Sequence, residues 1–266
     1  MAKLNYKHFG EGSPLIILHG LYGSSDNWVS IARELMSNFS VYLVDLRNHG
    51  ASPHLPEHNY QVMVDDLLEF MNDKQLYSAI IMGHSMGGKV AMWFTSLFPE
   101  RVKKLIVVDI SPRSYSLSSG DAQVEQHQKI LKGLLSIPLH TIENRKEVEE
   151  LIKDSIDSER VGKFLIKNLH RNHDKSFQWK INVDVLYQNL PAVLIGLEGE
   201  EHNLAQFRGT VLFIKGGESH YIQPADEDLI RRCFQNVKIV TIPGASHWVH
   251  ADAPETFLRE LFRFIL

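Results

Sequence analysis

The 266-residue chain carries 28 Lys and Arg against 32 Asp and Glu, a net charge of −4 that leaves no basic footprint for nucleic acid. With 44 % hydrophobic and 23 % charged residues, its composition is that of a globular protein, one large domain or a core with an insertion. The single cysteine, Cys233, excludes an internal disulfide, and no stretch approaches the ~18 apolar residues of a membrane span. Met1–Lys7 has no apolar signal core, so a cytoplasmic protein without stable membrane insertion is expected.

In chain order, the apolar run Leu15–Leu18 reads as a buried strand, followed by a helical pattern over Asn27–Ser37 and a strand at Val41–Leu46. A helix over Tyr60–Lys74, a strand at Ser78–Met82, a helix over Met86–Leu97 and a strand at Lys104–Asp109 continue the rhythm. Strands that are continuous apolar runs, alternating with amphipathic helices, predict an α/β fold. Its central sheet should be mostly parallel, with helices on both faces. From about Pro112 to Gln206 the pattern turns polar and helical, without a strand for the central sheet. That segment, 112–206, is expected to be a helical cap or lid over the C-terminal edge of the sheet, where open α/β sheets keep their sites. The rhythm resumes with a strand at Thr210–Ile214, a helix over Asp226–Phe234, a strand at Val237–Ile242 and a helix from Pro254 to Leu266. Residues 1–111 and 207–266 would then form the core. Cys233 reads as a packed helix residue. The terminal Phe257, Leu258, Leu261 and Phe262 fall at helical spacing and are expected to lie on the sheet.

Gly83-His84-Ser85-Met86-Gly87 joins the strand at Ser78–Met82 to the helix that begins at Met86. A G-x-S-x-G in a strand-turn-helix setting is a nucleophile elbow, with Ser85 on a strained backbone and its hydroxyl facing open space. Serine is a poor nucleophile until a base, oriented by a third group, takes its proton. The base should follow the last strand, where Gly244-Ala245-Ser246-His247-Trp248 presents His247, with His250 as the competitor. The turn after the penultimate strand, Gly216-Gly217-Glu218-Ser219-His220, has a serine where many proteins of this design have aspartate. Asp109, ending the apolar Leu105–Val108, is the preferred acid, ahead of Glu218 and Asp226. A charge there needs a partner. Oxyanion donors are expected from the backbone N–H of Met86 and of Leu21, the latter in His19-Gly20-Leu21-Tyr22-Gly23. Tyr22, Tyr115, Trp179, Tyr187 and Trp248 are candidate pocket residues, with lid-to-core contact as the alternative for the three in the insertion. His127, His140 and His170 read as surface or packing residues, and His19 and His49 as organisers of loops. No cluster has metal-ligand spacing and no Gly-rich loop has a phosphate-binding context, so no cofactor is expected.

Together these residues resemble the α/β-hydrolases over essentially the whole chain, and within them the small bacterial esterases of the YbfF type and their mitochondrial relatives. The most specific signature is Asp45-Leu46-Arg47-Asn48-His49-Gly50-Ala51-Ser52-Pro53, where most relatives have a glycine-rich D-x-R-G-x-G-x-S. Val108-Asp109-Ile110-Ser111-Pro112 and His247-Trp248-Val249-His250-Ala251 add to it. The resemblance implies hydrolysis of carboxylic esters and, in some members, acyl-CoA thioesters, with the acid at Asp109. The substrate would be a small-molecule acyl ester or thioester, and the protein a monomer or homodimer. A serine at position 85 counts against haloalkane dehalogenase and epoxide hydrolase chemistry. Three alternatives stay open: a carbon–carbon bond hydrolase, a menaquinone-pathway-type lyase of the same fold, and a ligand-binding protein with an unused triad.

Overall fold

Short apolar runs separated by amphipathic helices assemble into a seven-stranded sheet. The computed structural model describes residues 1–116, 121–156 and 158–266. Its strands are β1 (Tyr6–Phe9), β2 (Ser13–Leu18), β3 (Phe39–Val44), β4 (Ala79–His84), β5 (Val102–Val108), β6 (Leu169–Arg171), β7 (Phe177–Trp179), β8 (Thr210–Gly216) and β9 (Val237–Ile242). The main sheet runs β1-β3-β2-β4-β5-β8-β9, parallel throughout except for β1, which pairs antiparallel with β3. β1 has no counterpart in the sequence reading. It is an edge strand whose Tyr-Lys-His-Phe side chains are only partly covered, so it lacks an apolar run. Several expected bounds also move, among them two in the first part of the chain. The strand expected at Val41–Leu46 is Phe39–Val44, which frees Asp45 and Leu46 for the loop beyond it. The first helix is confined to Val29–Leu35, after one 3₁₀ turn at Ser25–Trp28.

The period-two alternation of each strand divides the apolar side chains between two faces. Ile16, Leu18, Ile81, Leu105 and Phe213 point to one face, under the helices Tyr60–Asp73, Met86–Leu97 and Pro224–Cys233. Leu15, Ile17, Ile80, Ile106 and Leu212 point to the other, under Val29–Leu35 and the terminal helix Pro254–Ile265. Phe257, Leu261 and Ile265, spaced by four, are the buried stripe of that last helix. Cys233 is buried at the end of its helix.

Between β5 and β8 the described residues add no strand to the main sheet. They form six helices (Ala122–Ser136, Arg145–Ser155, Glu159–Leu165, Val183–Gln188, Leu190–Leu194 and Glu201–Ala205). They also form the small antiparallel hairpin β6–β7, too short for its pattern to register in the sequence. Leu131, Leu134, Val148, Ile152, Leu165 and Leu186 give this segment an apolar cluster of its own. Val193, Leu197, Leu204 and Phe207, near its end, join the cluster on the sheet face.

The two ends of this insertion run side by side. Tyr115 N–H donates to the Leu194 carbonyl (2.9 Å) and Leu197 N–H to that of Pro112 (2.7 Å). Beneath them lies Lys89, one turn into the helix after Ser85 and only 1 % exposed. Its Nζ donates to the carbonyls of Arg113 (2.8 Å), Ile195 (2.7 Å) and Leu194 (3.4 Å) and sits 4.7 Å from the Tyr115 ring. One buried ammonium thus ties both ends of the insertion to the helix that starts at the elbow. Burial pushes Lys89 down to about 7, with Glu198, Asp121 and Asp226 acting upward and Arg113 downward. An unfolded lysine titrates at about 10.4, so between about pH 7 and pH 10 the unfolded chain holds a proton that the folded one has released. Stability from this group therefore rises with pH over that window. Urea unfolding should show the wild type gaining on Lys89→Met between pH 6.5 and pH 9.5. A difference that is level or shrinks as pH rises would contradict the assignment.

Candidate active site

Register puts the candidate site residues at one edge. In the parallel ladder Gly83 lies opposite Val107 and Val108 opposite Ile214, so the chain leaves β4, β5 and β8 at one level. The ladder runs one residue further, with Ser85 N–H donating to the Val108 carbonyl (3.0 Å) and Asp109 N–H to that of Ile214 (2.9 Å). Neighbouring strands lie about 5 Å apart, so Ser85 and Asp109 emerge within side-chain reach of a common partner.

Ser85 has φ 52° and ψ −120°, a backbone that side-chain-bearing residues rarely adopt. The turn is closed by its glycines: a Cβ on Gly83 would stand 2.1 Å from the Gly87 carbonyl oxygen, and one on Gly87 2.5 Å from those of Leu18 and His19. Met86 N–H opens the helix Met86–Leu97 and so lies among the first-turn donors that have no intrahelical acceptor. The turn after β2 passes close over the serine, since a Cβ on Gly20 would meet Ser85 Cβ at 3.1 Å. Leu21 N–H, in that turn, donates to no acceptor among the described residues.

His247 Nδ1 and Asp109 Oδ2 are 2.8 Å apart. Asp109 is fully buried, and its charge is met twice more, by Gly216 N–H on Oδ1 (2.9 Å) and by the Ser219 hydroxyl on Oδ2. The imidazole is steadied on two sides. The Tyr221 ring stacks on it at 3.9 Å and 22°, and His84 Nε2 donates to the His247 carbonyl oxygen at 2.9 Å. Burial, with His247 and His250 nearby, holds His84 well below the ordinary histidine range, so it acts as a neutral donor. The rival residues lie elsewhere. His250 stacks on Trp28 at 3.9 Å, its pKa pushed down to about 3 by burial. Glu218 is exposed, and Asp226 pairs with Arg113 at 3.1 Å while capping its own helix.

Ser85, His84, His247, Leu21, Tyr22 and Trp248 open on one cavity of about 770 Å³ between the sheet edge and the insertion. Met86 and Tyr115 line a narrow space of about 30 Å³ that adjoins Ser85 from beneath. Tyr115 also donates its hydroxyl to the Tyr221 carbonyl at 2.6 Å. Trp179 and Tyr187 do not line either space, contrary to the sequence reading. Trp179 ends the β6–β7 hairpin and faces a separate groove with Phe177, His54 and Asp184. Tyr187 is 38 % exposed on its short helix.

His19 and His49 are both buried and neutral, held down by desolvation. His19 Nε2 accepts from Leu46 N–H (3.0 Å) and His49 Nε2 from Tyr22 N–H (3.3 Å), so the rings join the turn after β2 to the Asp45–Pro53 loop. In that loop Asp45 accepts from Ser25 N–H (2.6 Å), Ala51 N–H (3.0 Å) and Asn5 Nδ2 (2.8 Å). Burial alone would raise its carboxyl, but His19 and these donors outweigh burial and hold it below the usual range. Asn48 takes φ 64° at the glycine position of the signature and accepts from Asn182 N–H of the insertion at 3.0 Å.

Sequence reasoning missed four neighbours of the site. His127, read as a surface or packing histidine, is half-buried and faces the cavity, between the hydroxyls of Tyr22 (3.2 Å) and Tyr221 (3.1 Å). His84 lay within the pentapeptide, and Ser219 stood where an aspartate was sought, so both were visible but unassigned. Tyr221 carried no signal apart from its nearness to that turn.

The sequence matches the α/β hydrolase fold family over residues 13–254. It is 33 % identical to Esterase YbfF of Escherichia coli, across 96 % of this chain and 94 % of that one. It is 35 % identical to the sn-1-specific diacylglycerol lipase ABHD11 of Danio rerio, across 96 % of this chain and 79 % of that one. A solved marine microorganism esterase superposes with a TM-score of 0.95 at 45 % identity, covering 100 % of both chains. By the extent of that match, and by the sheet and the elbow it encloses, this chain belongs to the α/β-hydrolase fold family.

Proposed function

We propose that the protein is a serine hydrolase that cleaves carboxylic esters through an acyl-enzyme on Ser85. His247 takes the Ser85 proton as the hydroxyl attacks the acyl carbonyl, and returns it to the leaving alcohol. Water, deprotonated by the same imidazole, then releases the acid. Asp109 fixes the tautomer that presents Nε2 to the serine and stabilises the imidazolium. The N–H groups of Leu21 and Met86 hold the oxyanion of each tetrahedral intermediate. The observation that carries this reading is the 2.8 Å contact between a fully buried Asp109 and a His247 that opens on the same cavity as Ser85. The esterase and lipase names of the relatives support the ester as the bond cleaved.

Residues 112–206 serve as the lid in this reading, and acyl thioesters are a second substrate class for the same acyl-enzyme chemistry. No helix of the described residues is long and apolar enough to cross a membrane.

Initial rates on 4-nitrophenyl esters from C2 to C16 test the reading, and the optimum chain length reports the depth of the cavity. Ser85→Ala should lower turnover by about 10³-fold or more. Persistence of turnover in that variant would refute the mechanism. Asp109→Asn should lower kcat by about 10³–10⁴-fold. A loss below about tenfold would move the acid role to another carboxylate. Ser219→Ala, which takes away one of three donors to that carboxylate, should cost about tenfold in kcat, the worth of one charge-assisted bond. An unchanged kcat there would show the hydroxyl to be dispensable.

A further inference from the structure

The turn after β2 is strained at one residue. Gly23 N–H closes it onto the Gly20 carbonyl at 2.9 Å, and Tyr22, its third residue, has φ 63°. Type II turns have a positive φ at this position and favour glycine or asparagine there, so a bulky side chain is strained. Such a backbone persists only where its surroundings hold it. Tyr22 is buried and held at three points: its N–H by His49, its carbonyl by Asn168 Nδ2 at 2.8 Å, and its hydroxyl by His127 at 3.2 Å. Only the first of these holds comes from the core of the fold. Asn168 closes the 3₁₀ turn Ile166–Asn168 and is 4 % exposed; His127 lies on the helix Ala122–Ser136. Both belong to the insertion. His127 reaches on through Nε2 to the Tyr221 hydroxyl at 3.1 Å, and Tyr221 is the ring stacked on His247.

We propose that Asn168 and His127 are positioning residues through which the insertion sets the oxyanion turn, so that a seated lid is a condition for transition-state stabilisation and not only a wall of the pocket. The proposal rests on Ser85 as nucleophile and Leu21 N–H as oxyanion donor. Leu21 N–H belongs to the Gly20–Leu21 peptide, whose carbonyl accepts from Gly23 N–H (2.9 Å) and His19 Nδ1 (2.8 Å), so the grip of the insertion on Tyr22 bears on the donor through the turn that the Gly23 bond closes. Loosening the grip should weaken binding of the tetrahedral state and leave the ground-state ester almost unaffected. A merely structural role for either side chain would not divide the kinetics in that way.

The test is steady-state kinetics on 4-nitrophenyl butyrate, together with inhibition by n-butylboronic acid, which forms a tetrahedral adduct on an active-site serine. Asn168→Ala, and Asn168→Asp, which keeps the shape but loses the donor, should lower kcat by about tenfold, less than the loss of a whole oxyanion donor. KM should move by less than about twofold, while the boronate inhibition constant rises in step with the loss in kcat/KM. His127→Phe should act in the same direction. His127→Gln, which can both donate and accept, should stay within about threefold of wild type. If Asn168→Ala does not fold, the two His127 variants decide the matter alone. Unchanged kcat in the folded variants, or a fall in kcat without a change in boronate affinity, overturns the proposal. Ser85→Ala separates the two levels. If it stays active, the nucleophile assignment itself fails; if it is inactive beside fully active Asn168 and His127 variants, only the positioning role fails.

Discussion

A fully buried carboxylate organises the edge of this sheet. Asp109 stands at the end of β5 with φ 52°, where an unpaired charge would cost several kcal/mol. Its three partners come from three places: Gly216 at the end of β8, Ser219 in the turn that follows, and His247 in the loop after β9. Meeting that charge draws these loops to the level of Ser85, and the parallel register of β4, β5 and β8 makes the level a common one. The stability of this edge and the geometry of the candidate site are thus linked through one side chain.

Of the six non-glycine residues with positive φ among the described residues, four gather in the same place. Tyr22, Asn48, Ser85 and Asp109 all have positive φ without being glycine, and all four lie in loops at the C-terminal edge of the sheet. Each is over-determined by its neighbours. Glycines leave room for Ser85, three donors fix Asp109, the insertion and His49 hold Tyr22, and Asn182 and Leu55 bond to Asn48. Of these four residues, Tyr22 and Asn48 are gripped directly by residues from the segment between β5 and β8. That segment therefore does more than cover the cavity. Lys89 ties both of its ends to the elbow helix.

The sheet was legible because buried parallel strands write themselves as unbroken apolar runs, and the elbow because a strained turn leaves glycines at fixed spacing. Asp109 was legible for a related reason, as a charge terminating the apolar Leu105–Val108. What stayed hidden depends on long-range contact. The edge strand β1 has too little burial to leave a pattern, and His127 looks like any polar helix residue until Tyr22 and Tyr221 close on it from opposite loops. Trp179 and Tyr187 misled for the converse reason. Whether an aromatic side chain in an insertion is covered, as Trp179 is in part, or exposed, as Tyr187 is, depends on the orientation of its strand or helix, which composition does not carry.

The assignment of Ser85 as the acylated nucleophile can be tested most directly by covalent capture. Treatment with the organophosphate paraoxon, followed by intact mass and peptide mapping, should show one diethylphosphoryl group per chain, located on Ser85. Its incorporation should track the loss of esterase activity and slow strongly in His247→Ala. Esterase activity lost while Ser85 remains unmodified, or a phosphoryl group found on another residue, would contradict the mechanism.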